Sequence, residues 1–254
     1  MSTTVPASGP ARRNRRRQAT LAEIVAVSRE LLADPAGLSL RAVAQRMGIT
    51  APALYRYVES YRELVELVAD AIDTDTALLL EEARDSQPED DPAAQIVCTA
   101  IAFRRWALAH KQEFGLVFTN PITAHDGREP EDIHEERTGA VFTPLLVRLW
   151  ERYRFPIPSP DELDPAVAAS LGDLVMPGKV DEIPPEARGL LWVFTQSWMA
   201  LYGTVTLEVY GHCDPRIIAS GALFRSMLTT QAELLGMTEE LPRLQPMIER
   251  ELTR

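Results

Sequence analysis

The segment from Ser39 to Leu64 constrains the fold more than any other part of the chain, because two short helical patterns flank a glycine turn there. The first pattern is an apolar stripe at three- and four-residue spacing, formed by Leu40, Val43, Ala44 and Met47. Gly48 permits the tight turn that follows, and Thr50 predicts the N-cap of a second helix over residues 53–58. Two short helices joined in this way predict a helix-turn-helix, whose second helix enters the major groove of DNA.

The flanking residues predict one helix before this motif and one after it. Thr20 and Glu23 have the spacing of a capping box, which would begin a first helix that covers the motif from behind. Ser60 and Glu63 have the same spacing and predict the start of a fourth helix. We therefore expect a helix-turn-helix domain over residues 19–70, with the fourth helix, residues 60–84, connecting it to the rest of the chain.

A run of arginines precedes the first predicted helix. Five guanidinium groups lie within six residues, at Arg12, Arg13, Arg15, Arg16 and Arg17. One interpretation is a solvated, disordered terminus. Beside a helix-turn-helix we favour a flexible arm, residues 1–18, that contacts phosphates or enters the minor groove of DNA.

The distribution of charge supports a DNA-binding N-terminal part. The whole chain is acidic, with a net charge of −11. Residues 1–62 nevertheless carry ten arginines and four acidic residues, a net charge of +6, which leaves −17 for the remainder. Such asymmetry suits a protein of which one part attracts DNA while the other is repelled by it.

Residues 17–71 resemble the DNA-binding domain of the TetR family of one-component transcriptional regulators. The residues that carry the resemblance are Leu40-Arg41-Ala42-Val43-Ala44-Gln45-Arg46-Met47-Gly48-Ile49 and Ala53-Leu54-Tyr55-Arg56-Tyr57-Val58. A helix-turn-helix of other ancestry is the alternative. One position departs from the family: Tyr61 stands where a lysine usually contacts a phosphate. Because a phenol carries no charge, that contact is lost or has moved to Arg62.

The resemblance implies which side chains meet DNA. Thr50, Ala53, Tyr57 and Tyr61 would lie along the DNA backbone, Pro52, Tyr55 and Arg56 would face the groove, Ser39 and Arg41 would lie at its edge, and Ala51 and Arg62 complete the set. Arg56 is the strongest candidate for reading a base, because a guanidinium pairs two-pronged with guanine, worth about 1–3 kcal/mol of discrimination. A plain phosphate contact is the alternative for Arg56, and Leu54 and Val58 are expected in the core.

Residues 84–92 gather charge and proline and predict a hinge. Beyond them the periodicity is helical and never alternates, so we predict an all-α fold of about nine to ten helices in total. A larger ligand-binding and dimerisation domain is expected over residues 85–237. Its predicted helices cover residues 93–111, 114–118, 133–153, 165–174, 186–212 and 214–235. The tail, residues 238–254, would be a short extra helix or disordered.

The predicted helices over residues 186–212 and 214–235 indicate a homodimer. The first has apolar residues on two neighbouring faces, so one face would pack within its own domain and the other against a second subunit. In the TetR family the corresponding helices pack against their copies, and two-fold symmetry presents two recognition helices to a palindromic operator. The candidate interface residues are Phe194, Leu201, Val205, Val209, Ile217, Gly221, Phe224 and Leu228.

A helical body rich in tryptophan and phenylalanine suits an apolar cavity for a small-molecule effector. The candidate lining residues are Phe103, Trp106, His110, Phe114, Phe118, Trp150, Trp192, Thr195, Trp198 and Met199. Ordinary core packing is the alternative for this set. The predicted function is a repressor that leaves its operator when the effector favours the state that does not bind DNA. Control by a protein partner, through residues 121–130 and 154–165, is the alternative.

Other classes of function find little support. Consecutive residues such as His212-Cys213-Asp214 point apart and do not form a nucleophile with its base. His134 lacks the second histidine that a zinc helix needs four residues later, and Cys98 and Cys213 lie too far apart for a zinc pattern. We therefore expect neither an enzyme nor a cofactor. The chain also shows no membrane-spanning run and no signal-peptide core, which favours a cytoplasmic protein.

Overall fold

The computed structural model describes residues 9–34, 37–120, 137–173 and 187–252. Within these ranges every regular element is a helix, which confirms the prediction of an all-α fold. The α-helices before residue 121 are α1 (Gly9–Leu32), α2 (Leu40–Arg46), α3 (Ala51–Leu54), α4 (Tyr61–Asp85), α5 (Pro92–Ala109) and α6 (Lys111–Phe114), and a π-helix (Gly115–Thr119) follows α6. The α-helices after it are α7 (Arg137–Tyr153), α8 (Pro165–Asp173), α9 (Gly189–Val209), α10 (Pro215–Ser220), α11 (Ala222–Leu234) and α12 (Leu241–Leu252), and two 3₁₀ helices are Pro160–Glu162 and Thr238–Glu240.

The chain forms two compact units. Unit one comprises Met1–Ile72 and Gln112–Ala124, and unit two comprises Asp73–Lys111 and His125–Arg254. The division falls inside α4 rather than at the charged stretch over residues 84–92, where the sequence predicted a hinge. The charged and proline residues show where α4 ends. The packing of its side chains decides which part of this long helix belongs to each unit.

Unit one is built around α1, α2 and α3. Its buried apolar side chains come from every helix of the motif and its supports, and they include Ile24, Leu31, Val43, Ala44, Leu54, Val58, Leu64, Val65 and Val68. Contact of α1 with α2 and of α2 with α3 confirms that the first helix supports the motif. Arg29 of α1 also pairs with Glu113, with nitrogen–oxygen distances of 2.7 and 3.0 Å.

The first helix begins earlier than the Thr20–Glu23 spacing predicted. It starts at Gly9, so the arginine run lies on α1 and not on a flexible arm. Arginine has high helix propensity, and from Arg12 to Leu32 no glycine or proline interrupts the helix. The Thr20 hydroxyl donates to the carbonyl of Arg16 at 3.1 Å, one turn back on the same helix, and therefore does not act as an N-cap.

Two predicted termini have the expected geometry. Gly48 adopts φ 68°, and the N–H groups of Gly48 and Ile49 donate to the carbonyls of Gln45 and Ala44, which is a Schellman ending of α2. At the start of α4, the N–H of Glu63 donates to the Ser60 hydroxyl at 3.1 Å, and the Glu63 carboxylate accepts from the N–H of Glu59. The glycine turn and this second capping box are thus confirmed.

Unit two is organised around α5, which is buried along most of its length. Helices α7, α9 and α12 pack against α5, and α11 packs against α9. A buried ion pair joins α5 to α9: Arg104 Nε lies 2.6 Å from a Glu208 carboxylate oxygen, and the same guanidinium donates to the carbonyl of Ile218 at 2.9 Å. Asp73 caps α7, accepting from the N–H groups of Arg137 at 2.8 Å and Thr138 at 3.2 Å.

The C-terminal part differs from prediction at one helix and agrees with one of the two alternatives predicted for the tail. The helix expected from Asp214 to Leu235 is interrupted at Gly221, whose φ of 65° lies in the left-handed region and separates α10 from α11. The tail folds as a 3₁₀ turn and α12, whose Leu244 and Ile248 are buried. The predicted start of the helix over residues 133–153 and the loop at 121–130 lie partly or wholly outside the described residues.

Candidate nucleic-acid interface

The second helix of the motif is a single turn. It spans Ala51–Leu54, with Thr50 at the N-cap position and Pro52 in the first turn, and a turn over residues 55–57 follows. Because the N–H of Tyr57 donates to the carbonyl of Leu54 at 2.8 Å, the chain tightens there and does not continue to residue 58 as an α-helix. Thr50 makes no side-chain capping bond, so its position was predicted correctly and its hydrogen bond was not.

Most of the predicted DNA-contacting side chains are exposed. Tyr55 is 49% exposed and Arg56 is also exposed, although both adjoin the fully buried Leu54. The other exposed members of the set are Arg41, Thr50, Ala51, Pro52, Tyr61 and Arg62, whereas Ser39, Ala53 and Tyr57 are half-buried. Burial of Leu54 and Val58 agrees with their expected core position. The turn therefore exposes one aromatic side chain, Tyr55, and one cationic side chain, Arg56. The residues on either side of the turn, Leu54 and Val58, are buried in the core.

Several members of the set already have partners inside unit one, Ser39, Arg62 and Arg17 among them. The Ser39 hydroxyl caps α2, accepting from the N–H of Ala42 at 3.2 Å. Arg62 lies 3.4 Å from Glu66, one turn further along α4, in an exposed pair that contributes little stability. Arg46 is not a member of the set but adds positive charge to the motif. Its guanidinium lies 3.2 Å from the Glu30 carboxylate, which partly neutralises that charge.

The arginines of α1 are exposed and occupy fixed positions on a helix. Arg17 is the one that contacts the recognition segment directly. Its Nη1 donates to the carbonyl of Arg56 at 3.2 Å, and its guanidinium carbon lies 5.7 Å from the centre of the Tyr57 ring. Arg17 lies seven residues before Ile24 and so continues the buried stripe of Ile24, Ser28 and Leu31. Helical spacing could therefore have placed Arg17 on this face of α1, but it could not have identified its partner.

Three of the predicted ligand-lining residues meet in unit two. Phe103 lies 6.1 Å from Trp106 and 5.8 Å from Trp198 between ring centres. Phe142 and Tyr202, which the sequence analysis did not include, complete the cluster at 6.1 and 6.0 Å from Trp198. Phenylalanine and tyrosine at helical spacing are common in cores, so nothing in the sequence distinguished these two.

Most of the other candidates for ligand contact lie apart from this cluster. His110 is exposed at the end of α5, but its ring stacks on Trp106 at 6.1 Å between ring centres, and its Nδ1 lies 3.0 Å from the carbonyl of Trp106. Phe114 and Phe118 belong to unit one and lie 5.2 Å apart. Trp150 lies under Arg154 at 4.7 Å. Trp192 and Thr195 are half-buried, and Met199 is exposed.

The residues predicted for the dimer interface are mostly buried inside the chain. Of the eight, only Ile217 is exposed, while Phe194, Leu201, Val205, Val209, Gly221, Phe224 and Leu228 are buried within unit two. These seven contact their own subunit, so their assignment to an interface is corrected. The exposed large apolar residues of this region are Met199 and Leu207 on α9, Tyr210 at the C-terminal end of α9, and Ile217 on α10. The sequence analysis predicted two apolar faces on α9, and the structure buries the face from which the candidate interface residues were chosen.

Two further findings limit the kinds of site in the described part of the chain. No helix there is long and apolar enough to cross a membrane. No group of three or more His, Cys, Asp or Glu side chains is placed to hold a metal ion there, and His134 lies outside this part.

Comparison with known proteins gives consistent results. Residues 96–231 match the family model described as the tetracyclin repressor-like C-terminal domain. The HTH-type transcriptional regulators Rv1816 of Mycobacterium tuberculosis and Mb1846 of Mycobacterium bovis are each 30% identical to the chain over 195 residues, which is 75% of this chain and 80% of theirs. The crystal structure of SCO4313, described as a regulatory protein, has a TM-score of 0.60 and 29% identity, over 86% of this chain and 97% of that one.

Proposed function

Because the chain belongs to the TetR family of transcriptional regulators, we propose that it binds a palindromic operator as a homodimer, represses transcription and is released by a small, largely apolar effector. The observation that carries this proposal is the arrangement of unit one. A one-turn recognition helix, anchored by the buried Leu54, presents Tyr55 and Arg56 to solvent beside an arginine-bearing helix. Side chains for base contacts and cations for phosphates are the two elements of DNA recognition.

The arginines of α1 supply the electrostatic part of the proposed interface. Because they lie on a helix rather than on a flexible arm, they would meet phosphates without the entropic cost of ordering a disordered segment. The net charge of +6 over residues 1–62 favours approach to DNA, and the acidic remainder opposes binding through unit two.

A homodimer accounts for specificity, since two one-turn recognition helices read two half-sites. The side chains that we propose for the interface are Met199, Leu207, Tyr210 and Ile217, which are exposed and apolar. They take the place of the eight residues first predicted for the interface, because seven of those eight are buried within the subunit. Family membership and the second apolar face of α9 support this assignment.

For the effector we propose the aromatic cluster of Phe103, Trp106, Phe142, Trp198 and Tyr202, which draws on α5, α7 and α9. An effector that binds the state without DNA more tightly than the DNA-bound state releases the operator by that difference in affinity alone. A compound that binds unit two and leaves operator affinity unchanged would contradict this part of the proposal.

The decisive experiment is selection of duplexes from a random pool, followed by a salt titration on the enriched sequence. We expect an inverted repeat bound with nanomolar affinity and a steep dependence on salt. Failure to enrich any sequence, with only weak salt-sensitive binding, would contradict the proposed function. Sedimentation equilibrium on the same sample measures whether the free protein is a dimer.

Substitution of Arg56 tests the assignment of the recognition segment. Arg56→Ala should relax selectivity at particular base positions, with a loss of about 1–3 kcal/mol for the preferred base. Arg41→Ala is the matched control, because Arg41 is exposed on the preceding helix and is expected at the edge of the groove. A uniform loss across all sequences in the Arg56 variant would instead identify a phosphate contact.

A further inference from the structure

Arg17 is the point at which α1 meets the recognition segment. Its Nη1 donates to the Arg56 carbonyl at 3.2 Å, and its guanidinium lies over the Tyr57 ring at 5.7 Å. Both partners belong to the turn that follows α3. One side chain from a different helix thus contacts the backbone of one candidate DNA-reading residue and the ring of the next.

The recognition segment needs such support, because a single helical turn is unstable by itself. Leu54 and Val58 anchor it on the inner side, being 0% and 1% exposed. Between them the chain leaves the helix, and carbonyls at a helix C-terminus lack partners within the helix. The Arg17 guanidinium provides a donor to one such carbonyl, at the end of the helix where a positive charge is favourable.

We propose that Arg17 is a positioning residue that determines base specificity, rather than one of the phosphate contacts among the α1 arginines. This inference rests on the proposed function. The guanidinium holds the backbone of Arg56 and the ring of Tyr57 and thereby orients the side chain that reads the base. A guanidinium can donate to the Arg56 carbonyl and lie over the Tyr57 ring at the same time, because it is a planar group with several N–H donors. The ammonium of lysine can form a cation–π contact too, but it is a single nitrogen and would have to make both contacts from one point.

The proposal separates two effects on DNA binding that are measured independently. A phosphate contact contributes equally to every duplex, and its loss lowers the slope of log K against log salt by about 0.9. A positioning residue acts through the bases, so its loss lowers the preference for the selected duplex and leaves the salt slope unchanged. For Arg17→Gln we expect about a tenfold loss of preference for the selected duplex over a scrambled duplex of equal length.

The experiment uses the full-length protein and the duplex that it enriches from a random pool. Arg16→Gln is the matched control, because Arg16 is the preceding exposed arginine on α1 and the substitution removes the same charge. We expect Arg16→Gln to lower the salt slope by about 0.9 and to weaken both duplexes alike. If Arg17→Gln behaves in that same way, Arg17 is a phosphate contact and the proposal is overturned.

Two further variants sharpen the test, and the first of them also keeps it decisive if Arg17→Gln fails to fold. Arg17→Lys retains the charge, so a phosphate contact would tolerate it, whereas we expect it to lose preference as Arg17→Gln does. Combining Arg17→Gln with Tyr57→Leu should lose no more preference than Arg17→Gln alone, because Arg17→Gln already removes the contact with the Tyr57 ring. Full additivity of the two changes would overturn the proposal.

The proposal and the proposed function fail in different ways. If the unmodified protein enriches no duplex, the function in DNA recognition fails before any Arg17 variant is measured. If it enriches an inverted repeat and Arg17→Lys retains the preference for that repeat, the function stands and the role of Arg17 is refuted.

Discussion

At the scale of single residues, Gly48 and Glu208 each occupy a position where the local surroundings limit the choice of side chain. Gly48 ends α2 with φ 68°, a conformation that residues with a Cβ rarely adopt. Glu208 is fully buried on α9 and is compensated by Arg104 on α5, whose guanidinium also lies 5.4 Å from the centre of the Phe224 ring. In both cases the local surroundings restrict which side chains the position tolerates.

Substitution of Gly48 should destabilise unit one through backbone conformation alone. A Cβ at Gly48 would have no atom within 4 Å among the described residues, so steric conflict with neighbouring groups does not contribute. We expect Gly48→Ala to lower the free energy of unfolding by about 1 kcal/mol, measured by urea denaturation. Gly48→Asn is the control and should cost less, because asparagine tolerates the left-handed region. Equal losses for the two variants would contradict this explanation.

Removal of one partner of the buried ion pair should be severe. Glu208→Leu would leave the Arg104 charge buried without its carboxylate, and we expect a loss of about 3–5 kcal/mol in urea denaturation. The double variant Arg104→Met with Glu208→Leu should recover most of that loss, since no uncompensated charge remains. A single variant as stable as the unmodified protein would show that solvent reaches the pair.

At the scale of secondary-structure elements, α12 is held to the start of α5 by charge. Asp91 is the N-cap of α5, accepting from the N–H of Ala94 at 3.0 Å, and it also binds Arg243 of α12 at 2.6 and 2.8 Å. The Arg243 guanidinium lowers the pKa of the Asp91 carboxyl below its ordinary value, against a smaller opposing effect of burial. One carboxylate thus caps one helix and attaches another.

The effect of Asp91 on stability should depend on pH. Because its folded-state pKa is lowered, its contribution is complete above the unfolded pKa and is lost as the pH falls through the folded value. Asparagine can still cap α5 but carries no charge to pair with Arg243, so we expect Asp91→Asn to lower the free energy of unfolding by about 0.5–1 kcal/mol at neutral pH. That difference should shrink once the pH is below about 4.

The control for this experiment is Asp90→Asn, a change of the same type at the neighbouring exposed residue. It should have little effect at either pH, as surface substitutions usually do. If Asp91→Asn gave the same loss at neutral and at acidic pH, the contribution would not come from the ionised carboxylate.

At the scale of the whole molecule, the exposed apolar residues of α9 and α10 are the proposed site of assembly. Met199, Leu207, Tyr210 and Ile217 are large apolar side chains that the chain leaves in contact with solvent. Exposed apolar patches often mark an interaction surface, and we propose that these four residues belong to one. The opposite side of α9 is buried in the core of the subunit. We therefore propose that α9 packs on one side within its own subunit and on the other against a second subunit.

A charge introduced on this face should abolish the proposed dimer. Leu207 is 44% exposed, so Leu207→Arg should leave the subunit folded and give a monomer in sedimentation equilibrium at micromolar concentration. Binding to the selected inverted repeat should weaken in parallel. Leu78→Arg is the control, because Leu78 is 58% exposed on α4 and lies outside α9 and α10. A Leu207→Arg protein that remained dimeric would refute this surface as the interface.

Several features of the fold were determined by the sequence alone, because they depend on local chemistry. A glycine at Gly48 and a serine–glutamate pair at Ser60 and Glu63 specify helix ends through the backbone of adjacent residues. The apolar stripes of α1, α2 and α4 likewise follow from helical periodicity. The helix-turn-helix could therefore be identified, and most of its candidate contact residues are exposed.

Only the tertiary structure decided which of two similar faces is buried. Leu201, Val205 and Val209 face the core of the subunit, whereas Met199 and Leu207 remain exposed, although both sets recur with helical spacing on α9. Periodicity shows that a face is apolar but does not identify its partner. The same limit applies to Arg17, whose charge predicted DNA contact while its neighbour in space is the ring of Tyr57. Contacts between residues distant in sequence depend on how the helices pack, which no local pattern encodes.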